Sequence, residues 1–377
     1  SYSSVLFTGK FTNLQQGFEE LHESSSVDDP KYHAKTARTF VDRAEGWIER
    51  HRDTPFFMYL HVLDPHDPFE PRPPYDVLWA DAAKKEEHES QLGKIRKVIE
   101  NPLLRMFGMP SRAEIEKAGV SPGEYVAYDK DWYDGSIRGM DAEVGRLVEK
   151  LRRLGLEDKV QIAFIGDHGE EFIEHGRMFH GQTVYGELAG VPLLLYRPGV
   201  IPQGIQIKET VRSIDLMPTL LDLSGLAVPK RAQGQSLLPL LAAARDAKGK
   251  GGSVAEAAQR LGWKPEPAVT EKAKSENAGG PPPLETESYG LVLGGWKLVH
   301  NVQRSAGAPE FELYNHADDP LDKTDVAGQH PDVVGRLREQ LAAWHKMVEA
   351  GKLPKGDVAE GMSQKDLDRL RSLGYVQ

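Results

Sequence analysis

Val160-Gln161-Ile162-Ala163-Phe164-Ile165-Gly166-Asp167-His168-Gly169-Glu170-Glu171 is an apolar run that breaks, at a glycine, into carboxylates around an imidazole. Its first six residues read as a short strand buried on both faces. Just upstream, Ile137, Met140, Val144, Leu147, Val148, Leu151 and Leu154 recur at helical spacing and stop at Gly155. The same order occurs earlier. A stripe of Ala34, Ala37, Val41, Ala44, Trp47 and Ile48 precedes the run from Pro55 to Leu63, and Val191 to Tyr196 forms a third apolar run. Helix alternating with buried strand predicts an α/β fold, with a parallel-rich sheet flanked by helices. Ligands of such sheets collect at the carboxyl ends of strands. Polar clusters follow Leu63 and Ile165 at those places.

Working outward, the charged segment from about Asp76 to Asp131, broken by Pro and Gly, reads as a helical excursion over the cleft. Ser213 to Leu221 reads as an N-capped helix with Pro218 in its first turn. From Ala242 to Pro283 the composition turns to Ala, Gly, Lys, Glu and Pro, with Gly249-Lys250-Gly251-Gly252 and Pro281-Pro282-Pro283 inside it. Weak order is expected from about Ala244 to Pro283. Tyr289–Leu293, Trp296–Val302 and Phe311–Tyr314 then read as antiparallel strands. Gly294-Gly295 supplies a hairpin turn, and a helix covers about Val333 to Val348. The expected organisation is an α/β domain over 1–243, a linker or insertion over 244–283, and a small α+β subdomain over 284–377.

Composition narrows the function. With 47 Lys and Arg against 57 Asp and Glu, the net charge of -10 argues against a nucleic-acid surface. It leaves room for an anionic substrate held by local cations or a metal. The chain has no cysteine, which excludes disulfides and thiolate metal sites. No apolar run reaches the length of a membrane span. The first residues lack the pattern of a signal peptide and an initiator Met, as expected of a chain that begins inside a longer protein.

Asp167 and His168 are residue types that ligate a divalent cation when a strand end presents them together. Taken alone, the pair reads more simply as a capping Asp beside a His. With His175 and His180 following in the same short loop, a site is the better reading. In Asp64-Pro65-His66-Asp67-Pro68, the two prolines stiffen the loop and fix the direction of His66. A rigid imidazole there suits proton transfer or a hydrogen bond to an anionic oxygen. His61, within the strand, reads as core.

These motifs carry a resemblance. Phe164 to Glu170, His175-Gly176, His180-Gly181, Tyr185-Gly186-Glu187-Leu188 and Val191-Pro192-Leu193 together resemble the second metal-binding segment of the sulfatases, members of the alkaline phosphatase superfamily. The segment around His66 and the stretches Ser213–Leu221, Gly234–Pro239, Gly295–Val299, Glu312–Asn315, Asp318-Asp319-Pro320 and Leu373-Gly374-Tyr375 also resemble that family. The resemblance implies an alkaline phosphatase-like fold and metal-assisted hydrolysis of sulfate esters. It implies Asp167 and His168 as ligands of one divalent metal. Calcium is favoured, and manganese or zinc is allowed by the imidazole. It implies His66 and His180 as catalytic, substrate-binding residues. Many sulfatases place a Lys where Gly181 stands, and His180 is the local substitute. This departure keeps a phosphate or phosphonate ester hydrolase, or a phosphoethanolamine transferase, in play. A fold remnant that only binds a ligand or partner is the non-catalytic alternative.

The formylglycine nucleophile of the family is expected in a part upstream of Ser1. Met109-Pro110-Ser111-Arg112 imitates the end of its motif, but Gly108 stands in the nucleophile's place. The 377-residue chain alone is therefore expected to be inert or nearly so. The expected partner is a small-molecule or glycan sulfate ester. Periplasmic or secreted placement is implied, with cytoplasm as the alternative.

Overall fold

The computed structural model describes residues 1–3, 17–23, 35–247, 253–272, 287–302 and 307–352. The chain forms two compact units, one built on Ser1–Val160 and one on Gln161–Gly356.

In the first unit, strands β1 (Tyr2–Ser3), β2 (His22–Glu23) and β3 (Leu60–His61) form a parallel sheet in the order β2-β1-β3. Helix α1 (Ala37–His51) buries Ala37, Val41, Ala44 and Ile48 of the stripe read from the sequence, and Phe40 besides; Trp47 is half-buried and Ala34 lies outside the described residues. The run before β3 is less buried than expected, with Phe57 at 70% exposure. The excursion is helical: α2 (Lys85–Val98), α3 (Pro102–Phe107) and α4 (Arg112–Lys117) lead into α5. Helix α5 (Pro122–Arg153) starts well before the recognised stripe and buries Tyr125, Val126, Tyr128 and Met140. It packs on α1, where Arg38 pairs with Glu143 (2.9 Å), Arg146 with Asp42 (2.6 Å) and Lys150 with Glu49 (2.6 Å). Gly155 ends the helix at φ +65°, as its sequence position implied.

Ser111 settles the imitation motif. Its hydroxyl accepts from the Glu114 N–H and the Glu114 carboxylate reaches back to its N–H, a reciprocal cap on α4. Ser111→Ala is expected to cost about 1 kcal/mol of stability, read from the urea midpoint. A variant as stable as the parent would show that the cap contributes nothing.

In the second unit, β4 (Ile162–Ile165) ends at the Asp167 cluster. The chain then makes a small hairpin, β5 (Glu171–Phe172) with β6 (Met178–Phe179), and a single turn, α6 (Gly186–Ala189). It returns as β7 (Leu193–Tyr196). This corrects one expectation: β7 pairs antiparallel with β4, in register from Ile162↔Tyr196 to Ile165↔Leu193. A parallel return runs through a crossover, usually a full helix, that carries the chain back to the starting edge. A hairpin and one helical turn simply bring the chain back. Both strands are also less buried than their composition suggested, and Leu194 is 57% exposed.

Helix α7 (Leu216–Leu223) follows a turn in which Arg212 and Asp215 cap each other, and α8 (Leu238–Ala247) comes next. The stretch expected to be weakly ordered contains α9 (Val254–Arg260) and β8 (Ala268–Lys272). Ala243 and Ala258 let α8 and α9 approach closely, and Trp263, 3% exposed, fills the space beside Leu240. One indole thus supplies apolar area that an average over the segment hides. Gly249–Gly252 and Pro281–Pro283 lie outside the described residues, as do Leu373–Tyr375.

β8 joins β9 (Ser288–Leu293), β10 (Trp296–Asn301) and β11 (Phe311–Tyr314) in an antiparallel sheet of order β11-β10-β9-β8. Gly294 and Gly295 turn the β9–β10 hairpin at φ +60° and +80°, as their pairing implied. Helix α10 (Pro331–Ala350) covers this sheet, packing Val333, Leu337 and Leu341 on Leu291, Leu298 and Leu313.

Candidate active site

His66 belongs to the first unit. Its Nδ1 lies 2.8 Å from the Asp67 carbonyl and 3.0 Å from the Asp67 carboxylate. Both are acceptors, so Nδ1 carries the hydrogen of the neutral ring. The residues opening α1 grip the loop. Lys35 Nζ donates to the His66 carbonyl (2.8 Å), Thr36 Oγ1 accepts from the Leu63 N–H (2.8 Å), and Asp64 accepts from the Ala37 N–H (2.9 Å). Lys35 is buried, and desolvation pushes its ammonium down to about 8 against the pull of Asp64, Asp67 and Glu70. Desolvation likewise pushes the Asp64 carboxyl up, opposed by Lys35.

Asp167, His168 and His180 belong to the second unit. The Asp167 carboxylate accepts from the His168 N–H (3.0 Å) and its side chain is 74% exposed. His168 Nδ1 donates to the Gly169 carbonyl (2.9 Å), and His180 Nδ1 donates to the buried Glu170 carboxylate (2.9 Å). The two rings stack with centroids 4.1 Å apart. Both imidazoles are therefore held in one tautomer, with the Nε2 lone pair as the coordinating or proton-accepting position. Gly169 is required: a Cβ there would sit 2.0 Å from the Glu187 carbonyl oxygen.

A buried network behind the loop holds it in shape. Glu171 accepts from the His175 N–H (3.0 Å) and the Arg177 N–H (2.7 Å). His175 sets Nδ1 against the Glu187 carboxylate (2.6 Å) and Nε2 against the Asp322 carbonyl (2.8 Å). Both partners are acceptors, so His175 is held as the imidazolium. Burial works against that charge, but the Glu187 and Asp322 hydrogen bonds outweigh it and raise its pKa. Burial lifts the Glu171 carboxyl to about 7, with Glu187 adding and the Arg177 and His175 N–H groups opposing.

Both groups bind protons more tightly folded than unfolded, so stability falls as pH rises. For Glu171 the loss spans about pH 4.5 to 7, and for His175 it begins near pH 6.5, the unfolded value. Glu171→Gln is expected to flatten urea-unfolding stability between about pH 5 and pH 7, removing a slope worth about 2–3 kcal/mol. Parallel pH profiles for variant and parent would sink this assignment.

Asp167 and His168 offer one carboxylate and one imidazole. Among the described residues no group of three or more His, Asp or Glu side chains converges as a metal cage. These donors fit part of a coordination shell, because calcium takes six to eight oxygens. Sequence reasoning did not single out Lys35, Glu170 or Glu171 individually. Glu170-Glu171 lay in the quoted cluster, whereas Lys35 had no local signal at all.

The sulfatase family profile matches residues 4–226. Arylsulfatase K of Xenopus laevis is 26% identical over 309 residues, covering 80% of this chain and 54% of that protein. The multifunctional alkaline phosphatase superfamily protein PehA of Trinickia caryophylli is 30% identical over 215 residues, 54% of this chain and 40% of that protein. The chain thus spans about half the length of the curated relatives it matches. Among solved structures, a protein in complex with its substrate D-glucosamine-2-N,6-O-disulfate superposes with a TM-score of 0.57 at 20% identity, covering 87% of this chain and 72% of that one. The phosphonate monoester hydrolase of Silicibacter pomeroyi superposes with a TM-score of 0.59 at 22% identity, covering 82% and 60%. These likenesses give the alkaline phosphatase-like α/β fold, and with the profile match over more than half its length the chain belongs to the sulfatase family.

Proposed function

We propose that the protein carrying this sequence hydrolyses sulfate esters. The observation that carries the reading is the pair His168 and His180, each with Nδ1 engaged, beside Asp167 at the end of β4 in a chain of this family. Asp167 and His168 are proposed to hold part of the shell of one divalent metal, calcium in the first instance. When bound, that metal would supply positive charge for the ester's anionic oxygens. His66, with its Nδ1–H fixed by Asp67, is proposed to give a proton to the leaving oxygen from Nε2. His180, oriented by Glu170, is proposed to contact the sulfate group.

The proposed nucleophile is a formylglycine outside these 377 residues, so the chain taken alone is inert or nearly so. The substrate is proposed to be a small-molecule or glycan sulfate ester met in a periplasmic or secreted setting. No described helix is long and apolar enough to cross a membrane. Residues 284–377 are proposed as an α+β subdomain built around β9–β11 and α10, with β8 from the preceding segment completing its sheet.

The experiment is a comparison of kcat/KM on an aryl sulfate and on an aryl phosphonate monoester, using the gene product that contains this sequence. Preference for the sulfate supports the reading. Preference for the phosphonate would replace it with the phosphonate ester reading that Gly181, in place of a Lys, keeps open.

A further inference from the structure

Beneath the His66 loop lies a buried cation with no assigned role. Lys35 is 3% exposed, and its Nζ donates to the His66 carbonyl at 2.8 Å. Burying an ammonium costs several kcal/mol unless it is compensated. Here the compensation comes from the loop: Asp64, Asp67 and Glu70 all act on Lys35. A chain that needed only a peg under this turn could use a neutral side chain. Thr36 already shows this, bonding the Leu63 N–H without a charge.

We propose that Lys35 is the positioning residue of His66, fixing its backbone through the carbonyl and setting the field under its imidazole. This rests on the reading of His66 as the proton-transferring histidine. Three basic side chains of the surrounding helices are paired with carboxylates. Lys85 of α2 bonds Glu70 (2.5 Å), Arg38 of α1 bonds Glu143 of α5 (2.9 Å), and His88 of α2 bonds Asp129 of α5 (2.9 Å). Arg72 lines, with Lys35 and Asp64, the small cavity under the loop. Lys35 is thus a buried cation bonded directly to the His66 carbonyl, and by the proposal its charge disfavours protonation of that imidazole.

The test is a pH titration of the His66 ring nitrogens by 15N NMR, which needs no turnover. In Lys35→Met the His66 midpoint is expected to rise by about one unit. Amide exchange over Asp64, His66 and Asp67 is expected to quicken. Lys35→Arg should bring the midpoint back towards the parent value. Thr36→Val, which removes the neutral grip, should lower stability and leave the midpoint in place. An unchanged midpoint in folded Lys35→Met would overturn the proposal, as would an equal shift in Thr36→Val.

Should Lys35→Met fail to fold, the parent protein decides. As Lys35 loses its proton near pH 8, the His66 signals should show a second step at the midpoint of the Lys35 side-chain signal. No such step would overturn the proposal too. Full turnover in a His66 variant would remove the catalytic reading of His66 but leave the titration result standing, so the two failures are distinguishable.

Discussion

His66→Asn is expected to lower kcat/KM towards an aryl sulfate by about two to four orders of magnitude, the usual loss of a general acid. The assay uses the gene product that carries this sequence. The Asn amide can still donate to the Asp67 carbonyl, as the imidazole Nδ1 does at 2.8 Å, so the loop keeps its shape. It has no proton to give near neutral pH. Asp167→Ala should produce a comparable loss for a different reason, the removal of a proposed metal carboxylate. Added calcium should recover part of it, and should recover nothing in His66→Asn. If His66→Asn raised KM and left kcat unchanged, His66 would bind the ester without transferring a proton. Parent-like kinetics in both variants would remove the proposed site altogether.

Much of the frame was legible because it is encoded locally. The α1 stripe of Ala37, Val41, Ala44 and Ile48 is buried as its spacing requires, and Gly294-Gly295 turn the hairpin their φ angles permit. The pairing of β7 with β4 was not legible, because an apolar tetrad such as Leu193–Tyr196 does not name its partner or direction. The connection decides that, and the hairpin in it is only two residues deep on each side. α9 was missed for another reason. A single Trp263 decides the packing of a segment whose average composition is that of a linker.

In the site, the strand-end cluster Asp167–His168 and the stiff His66 loop were visible as residue types. The network behind the loop was less so, because a hydrogen bond between residues far apart in sequence leaves no local pattern. Glu187, twelve residues from His175, and Asp322, on a separate loop, are such partners.

Asp322→Ala is expected to cost about 3–5 kcal/mol, the loss seen when one member of a buried ion pair is removed. Lys297 sits on β10 between Trp296 and Leu298, 1% exposed, with Nζ 2.5 Å from the Asp322 carboxylate. Nothing in the strand's alternation marks this lysine as interior. The other Asp322 oxygen accepts from His316 (2.9 Å). Burial would push the Asp322 carboxyl up, but the hydrogen bond from His316 and the Lys297 ammonium hold it below the ordinary carboxylate range. Asp322 also sits at φ +53°, where Asp is tolerated better than Ala, so part of the loss is backbone strain.

Asp322→Asn separates the two terms by keeping the backbone preference and removing only the charge. The consequence reaches the candidate site, because the Asp322 carbonyl is one of the two acceptors that hold His175 as the imidazolium. Urea unfolding should therefore show Asp322→Asn weakened, Asp322→Ala weakened further, and Lys297→Met weakened as well. The double variant Lys297→Met with Asp322→Asn should lie closer to the parent than the sum of the single losses, because no buried charge is left uncompensated. Strict additivity would mean that Lys297 and Asp322 stabilise the sheet independently. The ion pair would then not be what ties the loop to β10.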